Sequence, residues 1–329
     1  MPRVLLCARG GAAELPAIAS ALHDRNAEAI VFDSAAFPTG APLTLAYDHR
    51  GFAGRWTREP DGPADVTAVW QSLVVGTALP AMEPGSRETC VAASERAVLG
   101  LLDSLHVFQL DPYWNQARAD NKPHQLRVAQ RVGLEIPATI VSNDPDAVRA
   151  FARRSGALIT KMLVQPTGTP GEQAADVVFT TAMTAADLDH LEGLDLCPMI
   201  FQEQIENRRD VRVTIVGRRV FSAALDANAR GGGDPDWRRQ SYQLDRAPTW
   251  APYELPRDLA DRLLELLDHL GLNYGVADLI VRPDGRHVFL ELNASGSFAF
   301  LGACHAGPIA AAIADVLTYP GARRVAGPT

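Results

Sequence analysis

Apolar residues gather in short runs near the start of the chain: Val4-Leu5-Leu6-Cys7, Ala29-Ile30-Val31-Phe32, and Val66 to Trp70. Turn residues flank them, and their length predicts strands of an α/β layer over 3–8, 29–32 and 65–70. A helix is expected over 14–24, and the Pro- and Gly-containing stretch 34–64 reads as a small meander. Residues 86–105 form a long helical pattern, with Val91, Val98, Leu101, Leu102 and Leu105 on or near one face. A boundary follows at Leu110-Asp111-Pro112. Beyond it, Ala157 to Thr160 and Met199 to Phe201 are strand-like, and 210–216 alternates. There Val211, Val213 and Ile215 take one face, and Asp210, Arg212 and Thr214 the other. Gly217-Arg218 turns into another strand at 220–225. Residues 165–173 and 229–236 read as loop tips, and 322–329 as a frayed tail.

The chemically richest pattern is the last hairpin, 276–282 and 287–292, joined by Pro283-Asp284-Gly285-Arg286. A two-residue Asp-Gly turn or a four-residue loop gives one register, which sets Asp278 opposite Glu291, with Asn293 on the same face. Opposed carboxylates would have Cβ atoms about 4.5–5.5 Å apart, an arrangement that destabilises a sheet unless a cation intervenes. Asp, Glu and Asn offer only hard oxygen ligands, the set that suits Mg²⁺ together with substrate phosphates. The ordinary alternative is a solvated hairpin with incidental acids. Val276, Leu279, Ile280, Val288, Phe289 and Leu290 argue against that exposure.

Lys122 and Lys161 are the only lysines; every other basic side chain is Arg. Lysine binds phosphate as a compact point charge, without demanding the planar fork of a guanidinium. Asp120 can cap a helix whose first turn holds Pro123, which places Lys122 near a helix N-terminus, where anions are favoured. Two leftover surface lysines are the plain alternative. Arg212, projecting from a packed strand, suits a fixed anion such as a phosphate; a salt bridge with Asp210 or Glu203 is the competing reading.

Composition narrows the function class. The 329 residues fit two or three compact units, and 47% hydrophobic residues suffice for real cores. A net charge of −8 argues against nucleic acid and anionic membranes as partners. Cys7, Cys90, Cys197 and Cys304 show no paired spacing, so neither a zinc site nor a disulfide framework is expected. No run approaches transmembrane length and no signal segment opens the chain, so a cytoplasmic location is expected. Arg9-Gly10-Gly11 lacks the full dinucleotide fingerprint, and no serine elbow, zincin motif or P-loop occurs. Trp70, Trp114 and Trp250 read as core or interface residues.

The order Lys122, Lys161, Gln202-Glu203-Gln204-Ile205, Asp210-Val211-Arg212, Asp278, Glu291 and Asn293 resembles the ATP-grasp ligases, and within them the microviridin-type peptide macrocyclases. The likeness covers most of 110–295. It implies an ATP-grasp fold of α/β and α+β parts: a pre-ATP-grasp domain over 1–112, a central subdomain over 113–195, and a C-terminal subdomain over 196–325. It further implies that Lys122 and Lys161 contact ATP phosphates, that Gln202, Glu203, Gln204 and Ile205 hold the adenine through backbone groups, and that Asp210 contacts ribose or peptide. Asp278, Glu291 and Asn293 would bind two Mg²⁺, with Arg212 and Arg238 as anion contacts at the reacting groups. Departures are Asn293-Ala294-Ser295-Gly296 for N-P-x-G, Ser297-Phe298 for an aromatic and acidic stretch, Glu206-Asn207 after the hinge, and Gln71-Ser72 for a basic pair.

The implied activity is ATP-dependent phosphorylation of Asp or Glu side chains in a ribosomal precursor peptide. Ring closure to ω-esters with Ser or Thr, or ω-amides with Lys, follows. A leader segment would dock on the enzyme, with 163–180 as the candidate surface; whether the chain forms a homodimer has no motif to decide it. Two alternatives stand beside this reading: an ATP-grasp ligase joining a free amino acid or small carboxylic acid to an amine, and a nucleotide-binding regulatory protein without turnover.

Overall fold

The computed structural model describes residues 1–55, 65–72, 78–164, 179–226, 236 and 249–327. Strands β1 (Arg3–Ala8), β2 (Glu28–Asp33), β5 (Val66–Ser72) and β6 (Phe108–Leu110) form a parallel sheet in the order β2-β1-β5-β6, and β3 (Thr44–Asp48) pairs with β4 (Gly51–Arg55) as a separate hairpin. The strands read as unbroken apolar runs because both faces are covered. Leu5, Cys7 and Val69 pack with Val98, Leu101 and Leu102 of helix α2 (Pro84–Ser104). Val4, Leu6 and Ala68 share a core with Ile18 and Leu22 of α1 (Leu15–His23).

Next come helices α3 (Tyr113–Ala119) and α4 (Lys122–Arg131), then β7 (Thr139–Ser142), α5 (Pro145–Ser155), β8 (Leu158–Met162), β9 (Thr181–Ala182), α6 (Ala185–Asp189) and β10 (Met199–Glu203). The four strands make an antiparallel sheet ordered β7-β10-β8-β9, closed by Val148, Phe151, Leu158, Leu194 and Phe201. Asn121, not the expected Asp120, caps α4, accepting from the backbone N–H of His124 at 3.1 Å. Asp120 is the C-cap residue of α3, and its side chain goes elsewhere.

The third sheet is antiparallel, β13-β12-β11-β14-β15, from β11 (Arg209–Val216), β12 (Arg219–Asp226), β13 (Ala251–Pro252), β14 (Tyr274–Val281) and β15 (His287–Asn293). Helix α7 (Arg257–Leu270) covers one face, where Val211, Val213 and Ile215 meet Leu263, Leu266 and Leu267. Helix α8 (Gly302–Thr318) packs against the opposite side and against α1, so Ile309, Ile313 and Leu317 share a core with the first sheet.

The last hairpin differs from the expected turn. Arg282 and Arg286 close it through the Arg282 N–H to the Arg286 carbonyl, 2.8 Å, leaving a three-residue loop with Gly285 at φ +88°. Such loops end in a left-handed residue, which glycine adopts without a Cβ penalty. This loop alone would shift the register by one. A bulge after Asp278 restores it, pairing Leu279 with Phe289 but Asp278 with Glu291.

One further point corrects the sequence reading. The tail is not frayed as far as 327: Asn273 Oδ1 accepts the backbone N–H groups of Arg324 and Val325, at 2.7 and 3.1 Å, and Arg324 pairs with Asp268. Trp114 is 52% exposed, whereas Trp70 and Trp250 are buried.

Asp111 ties β6 to β14. It is 1% exposed and accepts from the N–H groups of Asn273 and Tyr274, both 2.8 Å, and from Asn273 Nδ2 at 3.2 Å. Burial pushes its carboxyl up to about 7, against those three donors. The folded protein therefore holds this proton more tightly than the unfolded chain, where Asp titrates near about 4. The resulting stabilisation is full below about pH 4 and is lost as the pH rises through about 7. Thermal midpoints across that window are expected to fall with rising pH, and Asp111→Asn is expected to flatten the fall.

Candidate active site

Three neighbouring strands carry one row of charges. Arg212 on β11 pairs in register with Asp278 on β14, and Asp278 pairs with Glu291 on β15. Arg212 is 7% exposed; its Nη1 donates to both Asp278 oxygens, at 2.8 and 3.0 Å, and its Nη2 to the Ser297 carbonyl at 3.2 Å. The alternative partners are engaged otherwise. Asp210 accepts from Asn207 Nδ2 at 3.0 Å, and Glu203 faces Arg282 at 3.4 Å.

Both lysines reach this row. Lys122 Nζ lies 3.2 Å from Glu291 Oε2, and Lys161 Nζ lies 3.8 Å from the same oxygen. Lys122 comes from the first turn of α4, while Lys161 sits inside β8 opposite Ile200 of β10, rather than past the end of a strand. Asn293 follows Glu291 on β15, its amide donating to Asp278 Oδ2 at 3.2 Å and Glu291 Oε1 at 3.4 Å. Six side chains distant in sequence thus converge: Lys122, Lys161, Arg212, Asp278, Glu291 and Asn293.

One supporting residue, Gln125, escaped the sequence reading, and a second, Asp120, was read in another role. Strand β15 lies at the sheet edge, where backbone groups need partners. Gln125, fully buried, supplies them: its Oε1 accepts the Leu292 N–H at 2.8 Å, and its Nε2 donates to the Leu292 carbonyl at 2.7 Å and to Ala119 O at 2.9 Å. Leu292 stands between Glu291 and Asn293, so this clamp fixes both. The signal was a polar residue on the buried stripe of α4, beside Val128 and Ala129. Asp120 accepts the Ala294 N–H at 3.0 Å. Burial and, less strongly, Glu291 raise its carboxyl, while the Ala294 hydrogen bond and Lys122 oppose them.

Gln125→Leu is expected to destabilise the fold by on the order of 1–3 kcal/mol, the cost of stranding buried backbone groups. It should also slow any reaction that needs Glu291 and Asn293 aligned. Denaturant unfolding and ADP release, measured on the same preparation, check both effects.

The hinge is largely self-satisfied. Gln202 is 1% exposed and donates to Thr139 Oγ1 at 2.9 Å; the N–H groups of Glu203 and Gln204 bond to Ala138 O and Ala157 O at 2.9 and 2.8 Å. Ile205 then packs in a small apolar cluster with Ile280, Val288 and Leu290. Its N–H makes no hydrogen bond among the described residues. A flat aromatic ring bearing an acceptor edge suits that combination.

The donor set at the hairpin suits a hard divalent cation through its two carboxylates; Asn293 presents its amide NH2 to both of them here and would offer its oxygen once that amide turns over. No group of three or more His, Cys, Asp or Glu residues gathers for a metal among the described residues. Arg238 lies outside the described residues, as does 165–178. Asp236, two residues before Arg238, is 4% exposed and accepts the Thr180 N–H at 3.1 Å. No described helix is long and apolar enough to cross a membrane.

Known proteins share this architecture. Residues 6–117 match the family model described as the MvdD pre-ATP grasp domain. The chain superposes on the macrocyclase MdnC from Microcystis aeruginosa MRC, solved with its precursor peptide MdnA, with a TM-score of 0.84 and 35% identity, covering 96% of this chain and 99% of that one. A RiPP-associated ATP-grasp ligase from Chryseobacterium gregarium, solved with ADP and a leader and core peptide, gives a TM-score of 0.87 at 27% identity, with both chains covered in full. Among curated sequences, a probable alpha-L-glutamate ligase of Pectobacterium carotovorum is 28% identical over 204 residues. That alignment takes in 60% of this chain and 63% of the relative, less than two thirds of its length.

Proposed function

The chain belongs to the ATP-grasp peptide macrocyclase family, and from that premise we propose that it closes rings in a ribosomal precursor peptide at the cost of ATP. The observation that carries this is the meeting of Lys122, Lys161 and Arg212 over the Asp278–Glu291–Asn293 row. ATP places its adenine against Ile205, Ile280 and Leu290, accepting a hydrogen bond from the Ile205 N–H, with its phosphates over the row. Of the four hinge residues, Ile205 is the backbone donor available for this contact; Gln202, Glu203 and Gln204 support it by holding the strand. Asp210 serves ribose or peptide contact from the same strand face.

Asp278, Glu291 and Asn293 would hold Mg²⁺, two ions in this reading, which supplies charge neutralisation for the phosphates. Lys122 and Lys161, now resting on Glu291, take phosphate oxygens, and Arg212 steadies the transferring phosphoryl group; Arg238 is a second anion contact. A side-chain carboxylate of the peptide attacks the γ-phosphorus, giving an acyl phosphate and ADP. Catalysis of that transfer is positioning and electrostatics. A Ser or Thr hydroxyl, or a Lys amine, of the same peptide then attacks the acyl carbon and expels phosphate. Water has to be kept out, since it would consume the acyl phosphate. The leader segment docks on the 163–180 surface.

The resemblance to glutamate ligases supports a second reading, transfer of a free amino acid to an amine. ADP release distinguishes the two. With Mg-ATP and the peptide encoded beside this gene, release is expected to depend on the peptide. Release with free glutamate and an amine acceptor, and none with peptide, would favour the second reading. A regulatory protein without turnover would release none under either condition.

A further inference from the structure

Next to the charge row lies a pocket bounded by Glu14, Trp70, Gln71, Ser72, Leu110, Tyr274 and residues 294–298. It joins the end of the first sheet to the segment that follows β15. Gln71-Ser72, Ala294-Ser295-Gly296 and Ser297-Phe298 line this one cavity. It adjoins the phosphoryl-transfer centre directly. Ser297 O receives Arg212 Nη2 at 3.2 Å, and Gly296 O receives the Tyr274 hydroxyl at 2.5 Å.

The lining is rich in acceptors and carries no cation. Gln71 is 4% exposed; its Nε2 donates to Asp111 O at 2.6 Å and to Gln109 Oε1 at 3.3 Å, which orients the amide. Its Oε1 is buried and has no hydrogen-bond partner among the described residues. Leaving a buried acceptor without a donor is costly, and a donor entering from the cavity that Gln71 lines would relieve that cost after a small shift of the amide. Glu14 stands at the N-cap of α1 but does not cap it; its carboxylate accepts the Ser297 hydroxyl instead. The close packing is deliberate: a Cβ on Gly296 would come within 2.8 Å of Val276 Cβ, so this residue has to be glycine for the wall to sit on β14.

We propose that this pocket seats the attacking side chain of the peptide by its proton-bearing head, with Gln71 Oε1 as the orienting acceptor and Glu14 as the base. The proposal deepens the macrocyclase reading and rests on it. The shared chemistry is a hydrogen-bond donor, an alcohol or an ammonium. For an alcohol, the O–H proton passes to the Glu14 carboxylate as oxygen bonds to the acyl carbon, and the carbon–oxygen bond to phosphate breaks with its electron pair leaving on phosphate. For an ammonium, Glu14 takes one proton to free the amine, and the departing phosphate takes the second after the carbon–nitrogen bond forms. Atoms and charge balance in both cases without a further reactant.

The test uses the full chain with Mg-ATP and the peptide encoded beside this gene, comparing wild type, Glu14→Gln and Gln71→Leu. Ring closure is read by intact mass. The activated carboxylate is read separately by adding hydroxylamine, a small nucleophile that needs no seat in the pocket, and counting hydroxamate and ADP. Glu14→Gln is expected to slow ring closure by about 100-fold or more, as removal of a general base does, while hydroxamate still forms. Gln71→Leu should slow ring closure without loss of hydroxamate. Parallel peptides bearing only Ser/Thr or only Lys as acceptor show which head the pocket takes. Ring closure by Glu14→Gln at the wild-type rate overturns the proposal, as does equal loss of ring and hydroxamate, which marks a structural role. No ADP or hydroxamate from the wild type would instead overturn the macrocyclase reading beneath it.

Discussion

Alanine at Glu291 is expected to lower peptide-dependent ADP release by roughly 10³-fold or more while leaving the fold intact. The size follows from what the residue holds: removing even one preorganised electrostatic contact costs about 10²–10³ in rate, and a cation site supplies several such contacts at once. Glu291 is the point at which Lys122 and Lys161 meet the row of Asp278 and Asn293, so under the proposed function its loss would scatter two phosphate contacts along with a metal ligand. The fold should tolerate the change. The side chain is 22% exposed, and β15 is held by Gln125 through Leu292 and by the Phe289 N–H to Glu135 O at 2.8 Å, none of which involves the Glu291 side chain. Circular dichroism and a thermal midpoint near wild type, with ADP release at background, are the expected pair of results.

Arg212→Ala is expected to do both kinds of damage. In stability, it leaves the Asp278 carboxylate, 19% exposed, without its forked partner, and breaking one half of such a pair costs about 3–5 kcal/mol. In activity, removal of a guanidinium that stabilises a transferring phosphoryl group is worth about 10³–10⁵ in rate. Arg212→Lys should restore part of the charge but little of the rate, since an ammonium cannot hold both Asp278 oxygens and the Ser297 carbonyl in one plane. Urea unfolding and single-turnover ADP release separate the two losses. An Arg212→Ala protein with wild-type turnover would remove Arg212 from the mechanism.

Much of the site was legible because its chemistry is encoded in residue types that have few other uses. Two lysines in an arginine-rich chain single out a point-charge role, and acids opposed on an otherwise apolar hairpin carry a cost unless positive charge lies beside them, as Arg212, Lys122 and Lys161 do here. The Asp278–Glu291 pairing shows how far such reasoning reaches and where it was lucky. The expected two- or four-residue turn is a three-residue loop, and the bulge after Asp278 compensates by one residue. Periodicity cannot foresee two opposite shifts. The roles of Gln125, Asp120 and Glu14 were missed for a different reason. Each acts on a partner at least 167 residues away, and a local pattern offers only a polar side chain on a buried stripe or near a helix end. The capping role read for Asp120 failed because Asn121, one residue on, offers the better-placed oxygen, which frees Asp120 to bind Ala294.

The α/β character of the first unit followed from its continuous apolar runs. The sharing of its core with the C-terminal helix did not, since Ile309 and Ile313 pack against residues about 290 or more positions earlier, such as Ile18, which no local pattern links to them. The tail was misjudged for the same cause: Arg324 and Val325 are anchored by Asn273, a buried amide whose Nδ2 also serves Asp111.

The most direct measurement is the intact mass of the neighbouring precursor peptide after incubation with the protein and Mg-ATP. Loss of one or more whole waters, dependent on ATP and on the leader segment and absent with Glu291→Ala, is the result predicted for a macrocyclase built on this site. An unchanged peptide mass, with ADP appearing only when free amino acids are supplied, would contradict it.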